Sequence, residues 1–100
     1  MEASPFTLTE EAKKQIEDTA FAYGLSRFAM RVRMVGKDLG KGFDLAVEEY
    51  PLPDDMTFVE QGLRFHIARD LVGHVRGLVI DYKHAGRLSG FVFRPATPEP

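Results

Sequence analysis

Residues 27–50 constrain the fold of this chain more than any other stretch, because they read as two β-strands around a glycine-rich loop. From 27 to 35, apolar residues alternate with polar or small ones, which is the period of a strand with one buried face. The apolar positions are Phe28, Met30, Val32 and Met34, and the alternating positions are Arg27, Ala29, Arg31 and Arg33. Phe43, Leu45 and Val47 continue the apolar face beyond the loop. The pattern predicts an antiparallel pair of strands with one face in the core.

Charged residues occupy the other face of this predicted pair. Antiparallel pairing sets Arg31 and Arg33 near Asp44 and Glu48. Opposite charges across two strands contribute roughly 0.2–1 kcal/mol per pair, which accounts for these charges without a ligand. We therefore favour cross-strand ion pairs over the alternative, an arginine site for a carboxylate ligand.

The loop between the two strands, residues 36–42, has the sequence GKDLGKG. Its glycines would leave room for a metal-bound thiolate or an anion, yet the sequence contains no cysteine. Within these 100 residues, that composition excludes disulfides, thiolate nucleophiles and cysteine-ligated zinc or iron–sulfur clusters. The loop also lacks the spacing and the terminal Ser or Thr of a phosphate-binding loop. An anion held by Lys37 and Lys41 is therefore the less favoured hypothesis.

An amphipathic helix is predicted before the two strands, from Glu10 to Tyr23. Its buried face is expected to consist of Ala12, Ile16, Ala20 and Tyr23, which recur at helical spacing. The helix is expected to start at a threonine cap, either Thr9 or Thr7, the second of which stands at capping-box spacing from Glu10. Gly24 follows as a left-handed C-cap.

Short strands and turns are predicted on either side of these elements. Residues 1–5 are expected to be a frayed lead-in, followed by a short edge strand at 6–8. Two prolines in 50–55 (YPLPDD) remove ladder donors, so this segment is predicted to turn or to cross the sheet. Gln61-Gly62 lies between two apolar runs and predicts a hairpin. The hairpin strands are 56–60 and 63–67, with Phe58, Leu63, Phe65 and Ile67 as the candidates for burial.

The last third of the sequence predicts a short helix and two strands. Asp70 is expected to cap a helix that reaches Arg76 and stops at Gly77. Strands are predicted at 78–83 and 88–93, joined by a turn at 84–87 and followed by a proline-rich tail. Helices and strands do not alternate as in βαβ units, so the fold class is α+β, mainly β, with a compact mixed β-sheet.

Length and charge limit the classes of function. One hundred residues predict a single domain over 1–100, with an ordered core of about 6–94 and a flexible tail at 95–100. A net charge of -2 and a pI near 5.9 give no electrostatic support for nucleic-acid binding. We expect no membrane association, because no apolar run approaches the length of a span, and a cytoplasmic location.

The residues that could carry chemistry form no recognisable catalytic or metal motif. The histidines are His66, His74 and His84, and their spacing matches no helical ligand pair. We interpret them as partly exposed side chains, and we keep a three-dimensional histidine cluster with Asp81 as the alternative. No serine lies in a nucleophile elbow. The protein is therefore expected to be no enzyme and to bind no cofactor and no metal.

Several segments together carry a resemblance to a known family. They are LTEEAKKQI, RFAMRVRMVG, the turn Gly40-Lys41-Gly42-Phe43, Asp54-Asp55 before a strand, Glu60-Gln61-Gly62, the segment GLVIDY (77–82) and the segment GFVF (90–93). In this order and spacing, from about residue 7 to 95, the sequence resembles the A-type iron–sulfur carrier family, also called HesB or IscA-like. The resemblance implies a compact mixed β structure with flanking helices.

The family holds its cluster with three cysteines, one in a turn and two in a C-terminal C-G-C motif. By resemblance the first position falls on or beside Gly40, and the sequence ends before the second motif, so none of the three ligands carries over. The chain resembles a cysteine-less branch associated with sulfur oxidation in bacteria. The resemblance therefore implies a non-enzymatic accessory or regulatory protein, and the alternative is iron binding or delivery through histidine and carboxylate ligands.

The resemblance also implies where a partner would bind. The loop occupies the position where the family presents its ligand, so we expect an unidentified protein partner to dock there and on the adjoining basic strand face. This predicted partner surface consists of Arg31, Arg33, Lys37, Asp38, Leu39, Gly40, Lys41 and Gly42. A monomer is slightly favoured over a dimer.

Overall fold

The computed structural model describes residues 2–34, 42–85 and 88–96 of the chain. The strands within these ranges are β1 (Glu2–Ala3), β2 (Thr7–Leu8), β3 (Met30–Met34), β4 (Phe43–Val47), β5 (Asp55–Glu60), β6 (Leu63–Ala68), β7 (Leu78–Ala85) and β8 (Leu88–Pro95). Helix α1 spans Glu10–Ala22, and a 3-10 turn at Arg69–Leu71 leads into the short helix α2, Val72–Val75. The fold class is α+β and mainly β, as predicted.

The strands form two sheets. The larger has five strands in the order β1-β5-β6-β3-β4, and the smaller has three in the order β2-β7-β8. β3 with β4, β5 with β6 and β7 with β8 pair as antiparallel hairpins, whereas β1 with β5, β3 with β6 and β2 with β7 are parallel. The parallel pairs bring together segments that are distant in the sequence.

Helix α1 begins at a threonine that caps it. The Thr9 hydroxyl oxygen accepts a hydrogen bond from the backbone N–H of Ala12 at 3.1 Å, so the cap is Thr9 and the capping box at Thr7 was wrong. Ala12, Ile16 and Ala20 are buried as predicted, but Tyr23 is exposed. It lies at the C-cap, beyond the last turn that packs on the sheets. Gly24 follows with a φ of 70°, in the left-handed region that glycine favours.

The hairpin between β5 and β6 forms around Gln61-Gly62. Both residues have positive φ, 51° and 82°, as a two-residue turn of this hairpin type requires. All four residues predicted for burial are buried, and Phe65 and Ile67 are completely so. The proline-containing segment before the hairpin turns as expected, and β5 starts at its last residue, Asp55.

Other predicted boundaries needed correction. Residues 1–5 are not simply a frayed lead-in, because Glu2 and Ala3 pair with Phe58 and Val59 of β5. Asp70 makes no side-chain cap to α2. Strand β3 starts at Met30 and not at 27, and β7 and β8 extend to Ala85 and Pro95. Of the predicted turn at 84–87, residues 86 and 87 lie outside the described residues, as does 97–100 of the predicted tail.

One hydrophobic core lies between the two sheets and the helices. Its buried members are Phe6, Leu8, Ala12, Ile16, Met30, Val32, Phe58, Leu63, Phe65, Ile67, Val72, Val75 and Ile80. Phe6 meets Phe65 edge to face, with ring centroids 4.9 Å apart, so the segment before β2 is anchored in this core. Within the described ranges, neither helix is long and apolar enough to cross a membrane.

Candidate functional site

The connection from β4 to β5 lies across one face of the larger sheet. Strand β4 is at the edge of that sheet, and β5 lies beyond β3 and β6, so the chain must pass over these two strands. We call residues 48–54 the crossing segment. It passes over the face opposite the core, where Arg31 pairs in register with His66 and His66 pairs with Thr57. Polar side chains of the sheet are therefore covered by backbone.

Arg31 is the centre of an ion-pair cluster on this face. Its guanidinium donates to both carboxylate oxygens of Asp55, at 2.9 and 2.5 Å, and to Glu48 at 3.2 Å. The Arg31 and Asp55 side chains are only 11% and 1% exposed. The hydrogen bonds from Arg31 lower the pKa of Asp55 below its usual range, although burial opposes this effect. Asp55 also accepts from the backbone N–H of Leu52, which fixes the crossing segment to the sheet.

Arg33 forms a second, more exposed pair. It donates to both oxygens of Asp44 at 3.0 and 2.9 Å, and these hydrogen bonds raise the pKa of Arg33. The predicted cross-strand pairing of the two arginines with Asp44 and Glu48 is confirmed. Asp55, the main partner of Arg31, was not predicted from the sequence. No local pattern indicates this contact, because it depends on the parallel pairing of β3 with β6 and the neighbouring position of β5.

The predicted partner surface falls only partly within the described residues. Lys37, Asp38, Leu39, Gly40 and Lys41 lie outside them. Of the rest, Arg31 is committed to its two carboxylates, Arg33 is about half exposed, and Gly42 leads into β4 with a φ of 116°. Docking at this surface stays a prediction.

The histidines occupy three separate parts of the fold. His66 is 2% exposed, so its interpretation as a partly exposed side chain was wrong: the crossing segment covers it. His74 is exposed on α2, and His84 lies on β7 in the smaller sheet against Tyr82, with ring centroids 4.8 Å apart. Across residues 2–34, 42–85 and 88–96, no three histidine or carboxylate side chains are grouped to hold a metal ion. Asp81, the proposed fourth member of a cluster, binds the Thr9 hydroxyl instead.

His66 is held by two hydrogen bonds that fix its ring. Nδ1 lies 2.9 Å from the Thr57 hydroxyl, and Nε2 lies 3.4 Å from the backbone carbonyl oxygen of Glu49. A carbonyl oxygen only accepts, so the contact with Glu49 is a hydrogen bond in the tautomer whose Nε2 carries the proton, and in that tautomer Nδ1 accepts from the Thr57 hydroxyl. The imidazole therefore links β5, β6 and the crossing segment.

A polar cavity of about 240 Å³ opens beside this histidine. Its lining residues are Arg27, Glu49, Tyr50, Pro51, Thr57, Arg64 and His66. We call it the crossing-segment cavity. Arg64 and His66 were predicted to share one face of their strand. Both line the cavity, on the face away from the core. The alternation was visible in sequence, but the path of the crossing segment that closes the cavity was not.

An apolar groove of about 140 Å³ lies on the opposite side of the sheet, between α1 and strands β3, β4 and β8. It is lined by Ile16, Thr19, Ala20, Phe28, Met30, Leu45, Val47 and Phe91. The groove and the crossing-segment cavity differ sharply in chemistry, since charged side chains line only the second.

Solved structures with the same architecture were found by comparison. A protein from Aquifex aeolicus, solved by solution NMR, superposes with a TM-score of 0.77 at 22% identity, over 94% of each chain. IscA in a crystal structure with its [2Fe-2S] cluster gives 0.68 at 25% identity, over 90% of this chain and 81% of that one. Escherichia coli SufA, involved in the biosynthesis of iron–sulfur clusters, gives 0.72 at 20% identity, over 94% and 82%.

No protein-family model and no curated protein matches the sequence. The similarity to known proteins is therefore structural, and it concerns the arrangement of strands and helices. That arrangement agrees with the resemblance identified in the sequence, including a long N-terminal helix and mixed sheets. The chain has the IscA-like fold, which SufA also has, and its sequence contains no cysteine.

Proposed function

We propose that this protein is a non-enzymatic accessory or regulatory protein that keeps the IscA-like fold but carries no iron–sulfur cluster. One observation carries the proposal: the fold extends over 90% of the chain in the comparison with cluster-bound IscA, while the chain has no cysteine. Iron–sulfur clusters are held by thiolates. The fold is therefore present without the ligands that the cluster requires.

The internal loop, residues 36–42, is the part of the sequence that supports this proposal most directly. The resemblance places the first cysteine of the carrier family on or beside Gly40, in a loop of sequence GKDLGKG. This position lies well inside the sequence. Neither lysine nor glycine can replace a thiolate as a bridge between protein and cluster iron.

We further propose that the protein belongs to the cysteine-less, DsrR-like branch of the family and acts in sulfur oxidation in the cytoplasm. In this proposal an unidentified protein partner docks on the predicted partner surface. The sequence resemblance supports the branch, and Arg33, a cation about half exposed before the loop, supports a contact at that end of the sheet. Arg31 is expected to position the neighbouring strands for this contact, since its own donors are already used.

Anaerobic reconstitution tests the absence of cluster binding. The protein is incubated with ferrous iron and sulfide, desalted, and examined by visible absorption, with IscA treated identically as the positive control. We expect IscA to acquire a cluster spectrum and this protein to show none. A stable cluster present in stoichiometric amount on this protein would overturn the proposal.

Charge reversal tests the docking surface. The variant Lys37→Glu/Lys41→Glu is compared with Lys13→Glu/Lys14→Glu, which makes the same change in charge on the polar side of α1. We expect a partner captured from the native cell to be lost from the first variant and retained by the second. Equal capture by both would remove the loop from the proposal.

The alternative, iron delivery through histidine and carboxylate ligands, receives no support from the described residues, which bring no three such groups together. Calorimetric titration with ferrous iron separates the two functions. Saturable binding that is abolished by His66→Gln would favour the alternative, and the accessory function predicts no saturation below millimolar iron.

A further inference from the structure

The crossing-segment cavity is lined by two arginines that form no ion pair with a carboxylate among the described residues. Arg31, Arg33 and Arg94 each lie within salt-bridge distance of an aspartate. Among the described residues, Arg27 and Arg64 form no such pair, although both line this cavity. Guanidinium groups left without a carboxylate in a shared cavity are available to an anion from solution.

The charge of the lining favours an anion over a cation. Among the described residues that line the cavity, two are arginines and one, Glu49, is acidic. Guanidinium groups bind oxyanions through planar pairs of N–H donors, and hydrogen bonds between such charged groups are about twice as strong as neutral ones. Tyr50, which carries a hydroxyl group, is also among the lining residues.

The floor of the cavity contributes a donor that is weakly used. The Nε2–H of His66 reaches the Glu49 carbonyl at 3.4 Å, beyond the usual range of about 2.7–3.2 Å for an N–H···O bond. The side chain is 2% exposed, and its other nitrogen is fixed by Thr57. A negatively charged oxygen in the cavity would compete well for this N–H, because a charged acceptor is stronger than a distant carbonyl.

The volume limits the size of the ligand. A water molecule occupies about 30 Å³ in the liquid, so 240 Å³ corresponds to a ligand of a few heavy atoms together with some water. Phosphate and sulfate are smaller than the cavity and therefore fit in it together with several water molecules.

We propose that the crossing-segment cavity binds a small tetrahedral oxyanion of the phosphate or sulfate type, held by Arg27 and Arg64 and by the Nε2–H of His66. The site shares no residue with the predicted partner surface, so it stands independently of the proposed function. The anion joins β6, the segment before β3 and the crossing segment, and it stabilises their contact.

The test is a titration followed by two-dimensional NMR of the backbone amides and by calorimetry. Inorganic phosphate, sulfate and acetate are added separately, with sodium chloride used to keep the ionic strength constant. We expect phosphate or sulfate to give saturable shifts centred on Arg27, Glu49, Tyr50, Arg64 and His66. Acetate, a singly charged planar anion, is expected to bind more weakly. The preference between phosphate and sulfate then identifies the source of the ligand.

Variants locate the site. Arg64→Gln is expected to weaken binding roughly tenfold or more, because it removes a charge-assisted hydrogen bond. Glu49→Gln is expected to tighten binding, since it removes the carboxylate from the lining. Arg76→Gln makes the same change in charge at an exposed arginine outside the cavity, and we expect it to alter affinity less than twofold.

Substitution of Arg27 tests the site without depending on whether the Arg64 variant folds. Its side chain is exposed, so Arg27→Gln retains the fold even where Arg64→Gln does not. Weaker binding in Arg27→Gln but not in Arg76→Gln supports the site. Unchanged affinity in Arg27→Gln, equal weakening by Arg76→Gln, or shifts that rise linearly and are spread over the surface would each overturn the proposal.

Discussion

The two sheets each bury an aspartate where distant segments meet, and they stabilise it by different means. In the larger sheet, Asp55 is held by a nearly buried arginine, Arg31, through two hydrogen bonds. In the smaller sheet, Asp81 is held at 2.8 Å by the Thr9 hydroxyl and at 2.8 Å by the backbone N–H of Tyr82. The cations near Asp81 are exposed and more distant, at 3.4 and 3.5 Å.

The comparison of Asp55 with Asp81 shows that a buried carboxylate does not always need a buried counter-ion. Asp55 and Arg31 depend on one another, because loss of either leaves a charge inside the protein. Asp81 is held mainly by two neutral donors, the Thr9 hydroxyl and the backbone N–H of Tyr82, and Thr9 also caps α1. In both cases the hydrogen bonds lower the aspartate pKa, those of Arg31 at Asp55 and that of Thr9 at Asp81, although burial opposes the effect.

The largest effect is expected from Arg31→Met. It leaves Asp55 buried without its cation, and removal of one partner from a buried pair typically costs about 3–5 kcal/mol in the free energy of unfolding. Urea denaturation measures the loss. The double variant Arg31→Met/Asp55→Leu should regain much of it, since no buried charge then remains. A loss below about 1 kcal/mol in the single variant would show that the pair is solvated like a surface ion pair.

A smaller effect is expected from Thr9→Val, which breaks the neutral anchor of the other sheet. The hydroxyl donates to Asp81 and accepts from the N–H of Ala12, so valine removes both a hydrogen bond to a carboxylate and a helix cap. Together these losses amount to about 2–4 kcal/mol. Thr9→Ser keeps the hydroxyl and serves as the control. Equal losses in the two variants, measured by urea denaturation, would contradict the double role.

Acid should weaken both anchors. A carboxylate whose pKa is lowered in the folded state contributes stability that is fully present above its unfolded pKa of about 3.9. That contribution is lost as the pH falls through the lower, folded pKa of Asp55 and Asp81. Unfolding free energies measured from neutral pH down to strongly acidic pH should therefore decrease below about pH 4.

Asp81→Asn should reduce this acid dependence, because it removes one of the two groups. The exposed Asp70→Asn makes the same change in charge and provides the comparison. An acid dependence as steep in Asp81→Asn as in the unmodified protein would show that Asp81 gains no stability from ionisation.

The smallest effect is expected from Lys83→Gln and Arg94→Gln. Their side chains are 62% and 46% exposed, and exposed ion pairs contribute about 0–1 kcal/mol, less at high salt. Urea denaturation at low and high salt measures each variant. A loss comparable to that of Thr9→Val would mean that Asp81, like Asp55, relies on a counter-ion.

Features that depend on nearby residues were predictable from sequence. The threonine-capped helix, the Gln61-Gly62 hairpin and the pairing of Arg33 with Asp44 all follow from periodicity, turn chemistry and antiparallel alternation. In each case the partners are within about 20 positions, and a turn or cap residue marks the boundary.

Features that depend on parallel pairing were not predictable. Strand β1 was interpreted as a frayed lead-in because two residues are too few to show an alternation of apolar and polar side chains. Its pairing with β5 is parallel, so no hairpin turn in the sequence indicates it. Asp55 was not predicted as the partner of Arg31 for the same reason, since no hairpin turn joins β3 to β6 or to β5. His66 was placed on the correct face of its strand, but its burial depends on the path of the crossing segment. The candidate cavity is built from four separate segments, so it could not be predicted from the sequence.

The double role of Thr9 has a consequence for synthesis on the ribosome. Thr9 and Asp81 are 72 positions apart, and β2, just before Thr9, pairs with Val79 and Ile80. At roughly 5–20 residues per second, the start of α1 waits about 4–14 seconds for its partner to be made. During that interval Leu8, which is buried in the finished fold, has no β7 to pair with. Apolar residues that are exposed for a time in this way are prone to aggregation, and the hydrogen bond from Thr9 can form only after Asp81 has emerged.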